Sequence, residues 1–327
     1  MFERMPVAFL ASALGCLLTG RWAIRGLVAM RWLQPMRHED CPPLMPLQHA
    51  KQGTPTMGGL LVLGVATCVA VVFGGLSHRD GWIVLGSIIG LGLVGLLDDA
   101  LKLRRPNAKG LRCLPKLVIA LGIGAIVGGL LADPAAGYRQ VTVPWLGMSR
   151  ELGWWWIPLA SLTVAGCAHA VNLTDGMDGL AAGCLALAFG TLGCVALLMT
   201  HDQLVTVWCV SLAGACVGFL WFNTFPASVF LGDVGALGLG AALGVLALLS
   251  HAVLGLVIVG GIFVAEALSV MLQVASYRWR NTRRIFRVAP LHHHFQLGGV
   301  EEPQVVVRFW IVGLLLAALG LSAFAHS

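Results

Sequence analysis

Ten apolar runs, each close to membrane-spanning length, dominate this chain and leave room only for short connections. They cover residues 6–31, 57–73, 82–97, 113–132, 154–171, 179–199, 204–221, 235–250, 252–277 and 306–325. A transmembrane helix needs about 20 mostly apolar residues, and this chain of 327 residues is 58% hydrophobic and only 11% charged. We therefore predict an all-α, polytopic integral membrane protein with about ten transmembrane helices.

Basic residues are distributed unevenly between alternate connections. The odd-numbered connections carry fourteen of them: Arg37, Lys51, Lys102, Arg104, Arg105, Lys109, Arg112, Lys116, Arg278, Arg280, Arg283, Arg284, Arg287 and Arg308. The N-terminus and the even-numbered connections carry only Arg4, Arg79, Arg139 and Arg150. Because cytoplasmic loops are enriched in Lys and Arg, we expect the odd connections inside and both termini in the periplasm. No basic stripe with interleaved aromatic residues follows a nucleic-acid pattern, so we expect no nucleic-acid partner.

Five aspartates interrupt the apolar pattern in three short polar breaks. They are Asp98, Asp99, Asp175, Asp178 and Asp233. All three breaks are odd connections, so the five carboxylates are predicted to meet at one membrane face. A carboxylate near a bilayer is costly and usually marks a functional site. Together with nearby lysines and a run of histidines, the acids indicate magnesium and phosphate chemistry at the lipid surface.

The first break ends the third run with Asp98-Asp99, followed by Lys102. Paired carboxylates can hold a hard divalent cation, and a lysine can hold phosphate oxygens as a point charge. A solvated helix end, in which Asp99 only balances Lys102, is the alternative interpretation.

The second break, NLTDGMDGLA at residues 172–181, carries Asp175 and Asp178 three residues apart. This spacing puts both acids on one face of a helical turn. The two glycines of the motif allow close backbone approach or a positive φ. Turn formation and capping explain the Asn and Thr of the motif, but not two acids between apolar runs.

The third break joins the seventh and eighth runs and carries Asn223, Phe230 and Asp233. Asp233 stands between glycines just before a helix, which suits a metal ligand with one open side. Phe230 is a candidate for stacking on a base, with simple packing as the alternative for a lone loop phenylalanine.

The second run opens with a polar segment that contains Lys51 and Thr56. Free backbone amides at a helix N-terminus favour anions, and Lys51 adds positive charge. A helix start made of proline, glycine and capping threonines is the alternative, and the two are compatible.

The ninth connection carries five arginines followed by His292-His293-His294. Three consecutive histidines cannot easily bind one metal, so phosphate donors or proton-transfer groups fit better than a zinc site. A polybasic segment that binds anionic lipid is the alternative. Glu266, inside the ninth run, is left open between a buried hydrogen bond to Gln273 or Ser269 and a contribution to the site.

Five motifs run in one order across most of the chain. They are KQGTPTMGG at 51–59, DDALK at 98–102, NLTDGMDGLA at 172–181, FPASVFLGDVG at 225–235 and RRIFRVAPLHHHF at 283–295. With them the chain resembles the phospho-N-acetylmuramoyl-pentapeptide transferases, or translocase I, of the polyprenyl-phosphate N-acetylhexosamine-1-phosphate transferase superfamily. The acid motifs are typical of the superfamily, and the triple histidine after APL points to this branch. One departure is Ala236, since members usually have Ser after GDVG.

The resemblance implies a magnesium-dependent phosphoglycosyl transferase of peptidoglycan synthesis in the bacterial inner membrane. UDP-MurNAc-pentapeptide and undecaprenyl phosphate would give lipid I and UMP. The implied architecture is a single transferase domain over residues 1–327, embedded in the lipid bilayer, with its active site in the cytoplasmic loops. The alternatives are a sister GlcNAc-1-phosphate transferase and, from a different class, an ion-coupled transporter. Formation of a homodimer, and of a covalent aspartyl-phosphate, is left open by the sequence.

Family roles fall on matching positions of this chain. The implied catalytic residues are Asp98, Asp99, Asp233, His292 and His293, with Asp233 as the magnesium ligand. The implied substrate-binding residues are Lys51, Thr56, Lys102, Asn172, Asp175, Asp178, Asn223, Phe230 and His294, with Phe230 stacking on uracil.

Overall fold

The computed structural model describes residues 4–34, 51–104, 110–133, 137–280 and 282–324. Arg37, Arg105 and Lys109, which contribute to the charge bias, lie outside these ranges. Within them the chain forms twelve α-helices and one antiparallel pair of strands. The helices are α1 (Arg4–Ala29), α2 (Gly59–Val72), α3 (Arg79–Arg104), α4 (Cys113–Leu130), α5 (Trp156–Thr174), α6 (Leu180–Val195), α7 (Gln203–Asn223), α8 (Gly232–Leu249), α9 (Val253–Val259), α10 (Gly261–Trp279), α11 (Leu291–Gln296) and α12 (Glu302–Phe324). The strands are β1 (Gln140–Val143) and β2 (Met148–Glu151).

The predicted all-α, polytopic architecture is confirmed, since each of the ten apolar runs contains a helix. Among the described residues, eight helices are long and apolar enough to cross a membrane. They are α1, α3, α4, α5 with the preceding 3₁₀ turn, α6 with the following π turn, α7, α8 and α12. The pair α9 and α10 is a ninth candidate, and α2 is a shorter apolar helix of 14 residues. The side on which each terminus lies remains a prediction.

Two features differ from the sequence expectation. The ninth run, expected as one helix over 252–277, is bent by 83° between α9 and α10. The bend falls at Gly260-Gly261, and adjacent glycines weaken a helix because they lack side chains to restrict the backbone. The second feature is the β1–β2 hairpin between α4 and α5, in which Gln140 pairs with Glu151. The strands are only four residues long and β2 is fully exposed, so the short alternation of polar and apolar residues in β1 is too weak to predict a hairpin.

Helix α8 is the central element of the bundle. Every residue from Val234 to Leu249 is buried, with α2, α3 and α5 packed against the helix. Small residues permit this proximity: a Cβ on Gly95 of α3 would overlap the carbonyl oxygen of Asp233. The first turn of α8 therefore holds Asp233 in the middle of one end of the bundle, beside the C-terminal end of α3.

Candidate active site

Three carboxylates and two ammonium groups meet where α3 ends and α8 begins. Single ligand oxygens of Asp98, Asp99 and Asp233 all lie within 4.8 Å of one another. Lys102 Nζ lies 2.5 Å from Asp98 Oδ2 and 2.9 Å from Asp233 Oδ1. Lys116 Nζ lies 3.2 Å from Asp98 Oδ2 and 2.8 Å from Asp233 Oδ2. These five residues, which we call the carboxylate–lysine cluster, bring together motifs predicted to share one face.

Backbone amides fix the two carboxylates of α3. The amide of Leu111 donates to Asp98 Oδ1 at 2.6 Å, and the amide of Val234 donates to Asp99 Oδ2 at 3.2 Å. Asp98 and Asp99 are only 0% and 4% exposed, so the alternative of a solvated helix end is wrong. Asp99 therefore links α3 to the N-terminus of α8, where a negative charge is favoured.

Gly232 lets the chain approach these groups closely. Its φ of 75° lies in the region that favours glycine, and a Cβ there would lie 2.9 Å from Asp99 Oδ2 and 3.0 Å from Thr56 Oγ1. Thr56 is 4% exposed and packs at this junction. Ala236, the departure from the family pattern, is fully buried one turn after Asp233. A serine hydroxyl at that position would need a partner inside the protein.

A second group of charges lies where the segment before α2, the turn before α6 and the start of α12 meet. Lys51 Nζ lies 2.6 Å from Asp178 Oδ1 and 2.5 Å from Glu302 Oε1. Glu302 Oε1 also accepts a hydrogen bond from the amide of Asp178 at 2.9 Å, and Asp178 Oδ2 accepts one from Ala227 at 3.0 Å. We call Lys51, Asp178 and Glu302 the Lys51 triad. It joins the predicted nucleotide motifs through direct ion pairs.

Asn223 and Phe230 connect the second and third polar breaks. Asn223 Oδ1 accepts a hydrogen bond from the amide of Gly179 at 3.1 Å, and its Nδ2 donates to the Val229 carbonyl at 2.9 Å. The Phe230 ring is half-buried, and its centroid lies 6.0 Å from Lys51 Nζ. This distance is at the outer limit of a cation–π contact. The Asn223 amide thus fixes the loop that presents Phe230 beside the Lys51 triad.

Charges of both the carboxylate–lysine cluster and the Lys51 triad act on the carboxyl group of Asp175. Its pKa is raised to about 8, first by burial and then by the negative charges of Asp233 and Asp99, while Lys51 acts in the opposite direction. The carboxyl group is therefore mostly protonated at neutral pH. A cation added to the neighbouring carboxylates would favour the charged form of Asp175 again. Asn172, half-buried one turn earlier in α5, shares this face of the helix.

The histidine run begins α11, and Glu266 of α10 holds it in place. Leu291 and His292 donate their amides to Glu266 Oε2 at 2.6 Å and Oε1 at 3.1 Å. His292 Nδ1 also lies 3.2 Å from Glu266 Oε1, and both side chains are 0% exposed. Among the described residues His292 Nε2 has no hydrogen-bond partner, and a Cβ on Gly176 would overlap it. The His292 ring therefore packs directly against the turn between Asp175 and Asp178.

The Glu266 carboxylate holds the start of α11, and its contribution to the site stays a prediction. Its carboxylate binds neither of the two expected partners. Ser269 Oγ donates to the backbone carbonyl of Glu266 at 2.7 Å, and Gln273 instead binds the backbone of residues 285 and 286.

The next two histidines have different surroundings. His293 Nδ1 lies 3.1 Å from Gln296 Oε1, and its pKa is lowered to about 4, first by burial and then by His292. His293 is therefore neutral at physiological pH. His294 Nδ1 accepts a hydrogen bond from the amide of Arg287 at 3.1 Å. One ring nitrogen of His294 is thus used to hold the preceding loop.

Lys116 and Glu302 are the residues that sequence reasoning missed as site members. Lys116 looked like the end of a basic run, and its distance of 18 residues from Asp98 gives no periodic signal. Glu302 begins α12, where an acid has an ordinary explanation in the helix dipole. The positive-inside count included Lys116, but only the fold reveals that it contacts Asp233.

Comparisons with known proteins agree with this arrangement. The family model described as Glycosyl transferase family 4 matches residues 81–251, and the Phospho-N-acetylmuramoyl-pentapeptide-transferase signature 1 matches residues 51–63. The phospho-N-acetylmuramoyl-pentapeptide-transferase of Pelobacter propionicus is 41% identical over 98% of this chain and 92% of its own length. The phospho-N-acetylmuramoyl-pentapeptide-transferase of Geobacter sp. strain M21 is also 41% identical, over 98% of this chain and 92% of its own length. The phospho-N-acetylmuramoyl-pentapeptide-transferase of Thermodesulfovibrio yellowstonii is 40% identical over 97% of this chain and 92% of its own length. The chain belongs to the phospho-N-acetylmuramoyl-pentapeptide-transferase family.

Proposed function

We propose that this protein transfers phospho-MurNAc-pentapeptide from UDP-MurNAc-pentapeptide to undecaprenyl phosphate, giving lipid I and UMP. The reaction takes place at the cytoplasmic face of the bacterial inner membrane. The observation that carries the proposal is the carboxylate–lysine cluster at one end of a bundle of apolar helices. Such a place suits a reaction between a water-soluble nucleotide sugar and a phosphate carried by a membrane lipid.

The cluster fits magnesium. Its three carboxylates offer the hard oxygen ligands that Mg²⁺ prefers, close enough together to share one ion. Three carboxylates and two ammonium groups leave one net negative charge, which a divalent cation would convert to a net positive charge. Asp233 would hold the ion, with Asp98 and Asp99 beside it. When bound, magnesium would supply positive charge to the transferring phosphoryl group.

Lys102 and Lys116 supply the protein's own positive charge at the reacting phosphates. Both contact Asp98 and Asp233 and are about nine-tenths buried, at 14% and 13% side-chain exposure. A fixed ammonium in a poorly hydrated site stabilises developing negative charge more than one in water does. Both oxygens of Asp98 have partners, since Leu111 binds Oδ1 and the lysines flank Oδ2. We therefore assign Asp98 to organising the lysines and the lipid phosphate rather than to covalent attack.

The Lys51 triad and Phe230 form the nucleotide side of the proposed site. Lys51 binds the diphosphate in exchange for part of its contact with Asp178 and Glu302, while Phe230 stacks on uracil. Asn172, Asp175 and Thr56 are also assigned to substrate binding, with Thr56 at the junction of the two charged groups. His292 and His293 contact the phosphates or another part of the substrate. In neutral His293 the Nδ1 proton is donated to Gln296 Oε1, so Nε2 accepts a hydrogen bond from a substrate N–H or O–H group.

The test is UMP release by the purified full-length protein with magnesium and undecaprenyl phosphate. We expect UMP from UDP-MurNAc-pentapeptide and little from UDP-GlcNAc. Preferential UMP release from UDP-GlcNAc would support the sister transferase instead. No UMP from either donor, together with ion flux in vesicles, would support the transporter. The acids argue against a transporter, because they lie together at one end of the bundle rather than spread along it.

A further inference from the structure

The segment between α10 and α11 carries a concentration of unopposed positive charge. We call residues 278–287 the arginine loop; its arginines are Arg278, Arg280, Arg283, Arg284 and Arg287. All five are exposed. No Asp or Glu occurs in the sequence between Glu266 and Glu301, so nothing along the chain offsets this charge.

These arginines differ from the lysines of the active site. Lys51, Lys102 and Lys116 each contact at least two carboxylates. Across the part of the chain that the structure describes, none of the ion pairs involves an arginine of the loop. Their charge is therefore available to an external anion.

The part of the loop that the structure describes at residues 283–286 is also held by hydrogen bonds to α10. Gln273 Oε1 accepts hydrogen bonds from the amides of Ile285 and Phe286, and its Nε2 donates to the Phe286 carbonyl, each at 3.0 Å. Ser276 Oγ donates to the carbonyl of Arg283 at 2.9 Å. A positive charge that only sets topology needs no such ordering, because the positive-inside effect depends on the number of basic residues near a span. These contacts hold the backbone that carries Arg283, so its charge is presented from a fixed position, which suits a binding surface.

Apolar and aromatic side chains alternate with the arginines. Tyr277, Trp279 and Ile285 are 48%, 84% and 49% exposed. Aromatic rings beside basic residues at the end of a membrane helix are typical of the head-group region, where the ring is buried and the charge meets lipid phosphate. Trp279 ends α10, so the aromatic ring is adjacent in the chain to Arg278 and Arg280.

We propose that the arginine loop binds the head groups of anionic phospholipids at the cytoplasmic surface of the membrane. The inference rests on the proposed cytoplasmic placement of the active site. Arg287 turns back toward α11, where its amide binds His294 Nδ1 at 3.1 Å and its Nη1 donates to the Leu297 carbonyl at 2.8 Å. A lipid-bound loop thus steadies the helix that carries His292 and His293.

Lipid selectivity of the reconstituted full-length protein tests the surface without any turnover. The protein is placed in phosphatidylcholine bilayers with trace spin-labelled phosphatidylglycerol or phosphatidylcholine, and electron paramagnetic resonance gives the relative association of the two probes. The wild-type protein should prefer phosphatidylglycerol, since each basic residue at an anionic surface strengthens binding up to about fivefold. R280Q/R283Q/R284Q should lose most of that preference.

Two matched variants separate charge at this loop from charge in general. The first, R280K/R283K/R284K, retains the charge and should keep the preference. The second, R21Q/R25Q/R31Q, neutralises two exposed arginines of α1 and one that follows this helix. This variant should also keep the preference for phosphatidylglycerol. An unchanged preference in the loop glutamine variant, or an equal loss in the α1 variant, would overturn the proposal.

One further arm distinguishes bulk phospholipid from the lipid carrier. Undecaprenyl phosphate is added at a small mole fraction to the same bilayers. Retention of the phosphatidylglycerol signal supports the proposal, whereas its displacement would assign the loop to the carrier phosphate instead. Because no UDP-sugar is present, these results do not depend on the proposed reaction, and an inactive protein would still report lipid binding.

Discussion

Replacing Glu266 with glutamine perturbs the carboxylate that holds the start of the histidine helix α11. The carboxylate accepts the amides of Leu291 and His292 at 2.6 and 3.1 Å and is fully buried. A glutamine has only one acceptor oxygen, so one of the two amides loses its partner and meets an NH₂ group. A buried donor left unsatisfied costs about 1–3 kcal/mol. If this cost raises the free energy of the transition state but not that of the bound substrate, turnover drops by about 5- to 150-fold.

The assay is steady-state UMP release with kcat and KM measured separately for both substrates. We expect Glu266→Gln to lower kcat, because His292 and His293 shift relative to the phosphates, while KM for the UDP-sugar changes less. Ser269→Ala is the matched control: its hydroxyl binds the backbone carbonyl of Glu266, so the carboxylate stays in place and kcat stays near wild type. A folded Glu266→Gln protein with wild-type kcat would refute the positioning role.

Four other perturbations test separate parts of the account. Asp233→Asn should lower turnover by orders of magnitude in a folded protein; normal turnover with unchanged magnesium dependence would remove Asp233 from the metal site. Phe230→Ala should weaken UMP binding by about 1–3 kcal/mol, the usual contribution of base stacking, while equal UMP affinity would leave Phe230 a packing residue. His293→Gln should lower turnover by the same factor at about pH 6 and about pH 8, because a pKa near 4 keeps the imidazole neutral throughout; a factor that changes across this range would contradict a neutral imidazole. A cysteine at Arg283 should be labelled only from the cytoplasm and one at Arg79 only from outside; the reverse pattern would invert the topology.

The lowered pKa of His293 also fixes the sign of its effect on stability. The unfolded chain binds a proton near pH 6.5, whereas the folded site does so only near pH 4. Stability from this residue is therefore complete above the unfolded pKa and falls as the pH drops between these values. A melting temperature that falls less steeply with acid in His293→Gln than in the wild type would agree.

The helix bundle and the meeting of the acids were predictable because both follow from the cost of placing polar groups in lipid. Apolar runs of about 20 residues form helices, and a strict alternation of sides brings Asp98, Asp99 and Asp233 to one end. The same reasoning brought Lys51 and Asp178 to that end, where they form an ion pair.

The rest depended on tertiary packing, which leaves no periodic signal in a sequence. Lys116 reaches the cluster only because α4 begins beside the end of α3, and Glu302 only because α12 begins beside the turn before α6. The break at Gly260 was hidden because a run of apolar residues is compatible with both one helix and two. The role of Glu266 became visible only when α11 was seen to begin against it.

The most direct test of the proposed reaction is the stoichiometry of its two products. Purified protein, magnesium, UDP-MurNAc-pentapeptide and undecaprenyl phosphate are combined, with UMP measured by chromatography and the lipid product by mass spectrometry. The account predicts one undecaprenyl-diphospho-MurNAc-pentapeptide for each UMP, and no UMP when either substrate is left out. UMP formed without undecaprenyl phosphate, or without an equal amount of the lipid product, would contradict a transfer to the lipid phosphate.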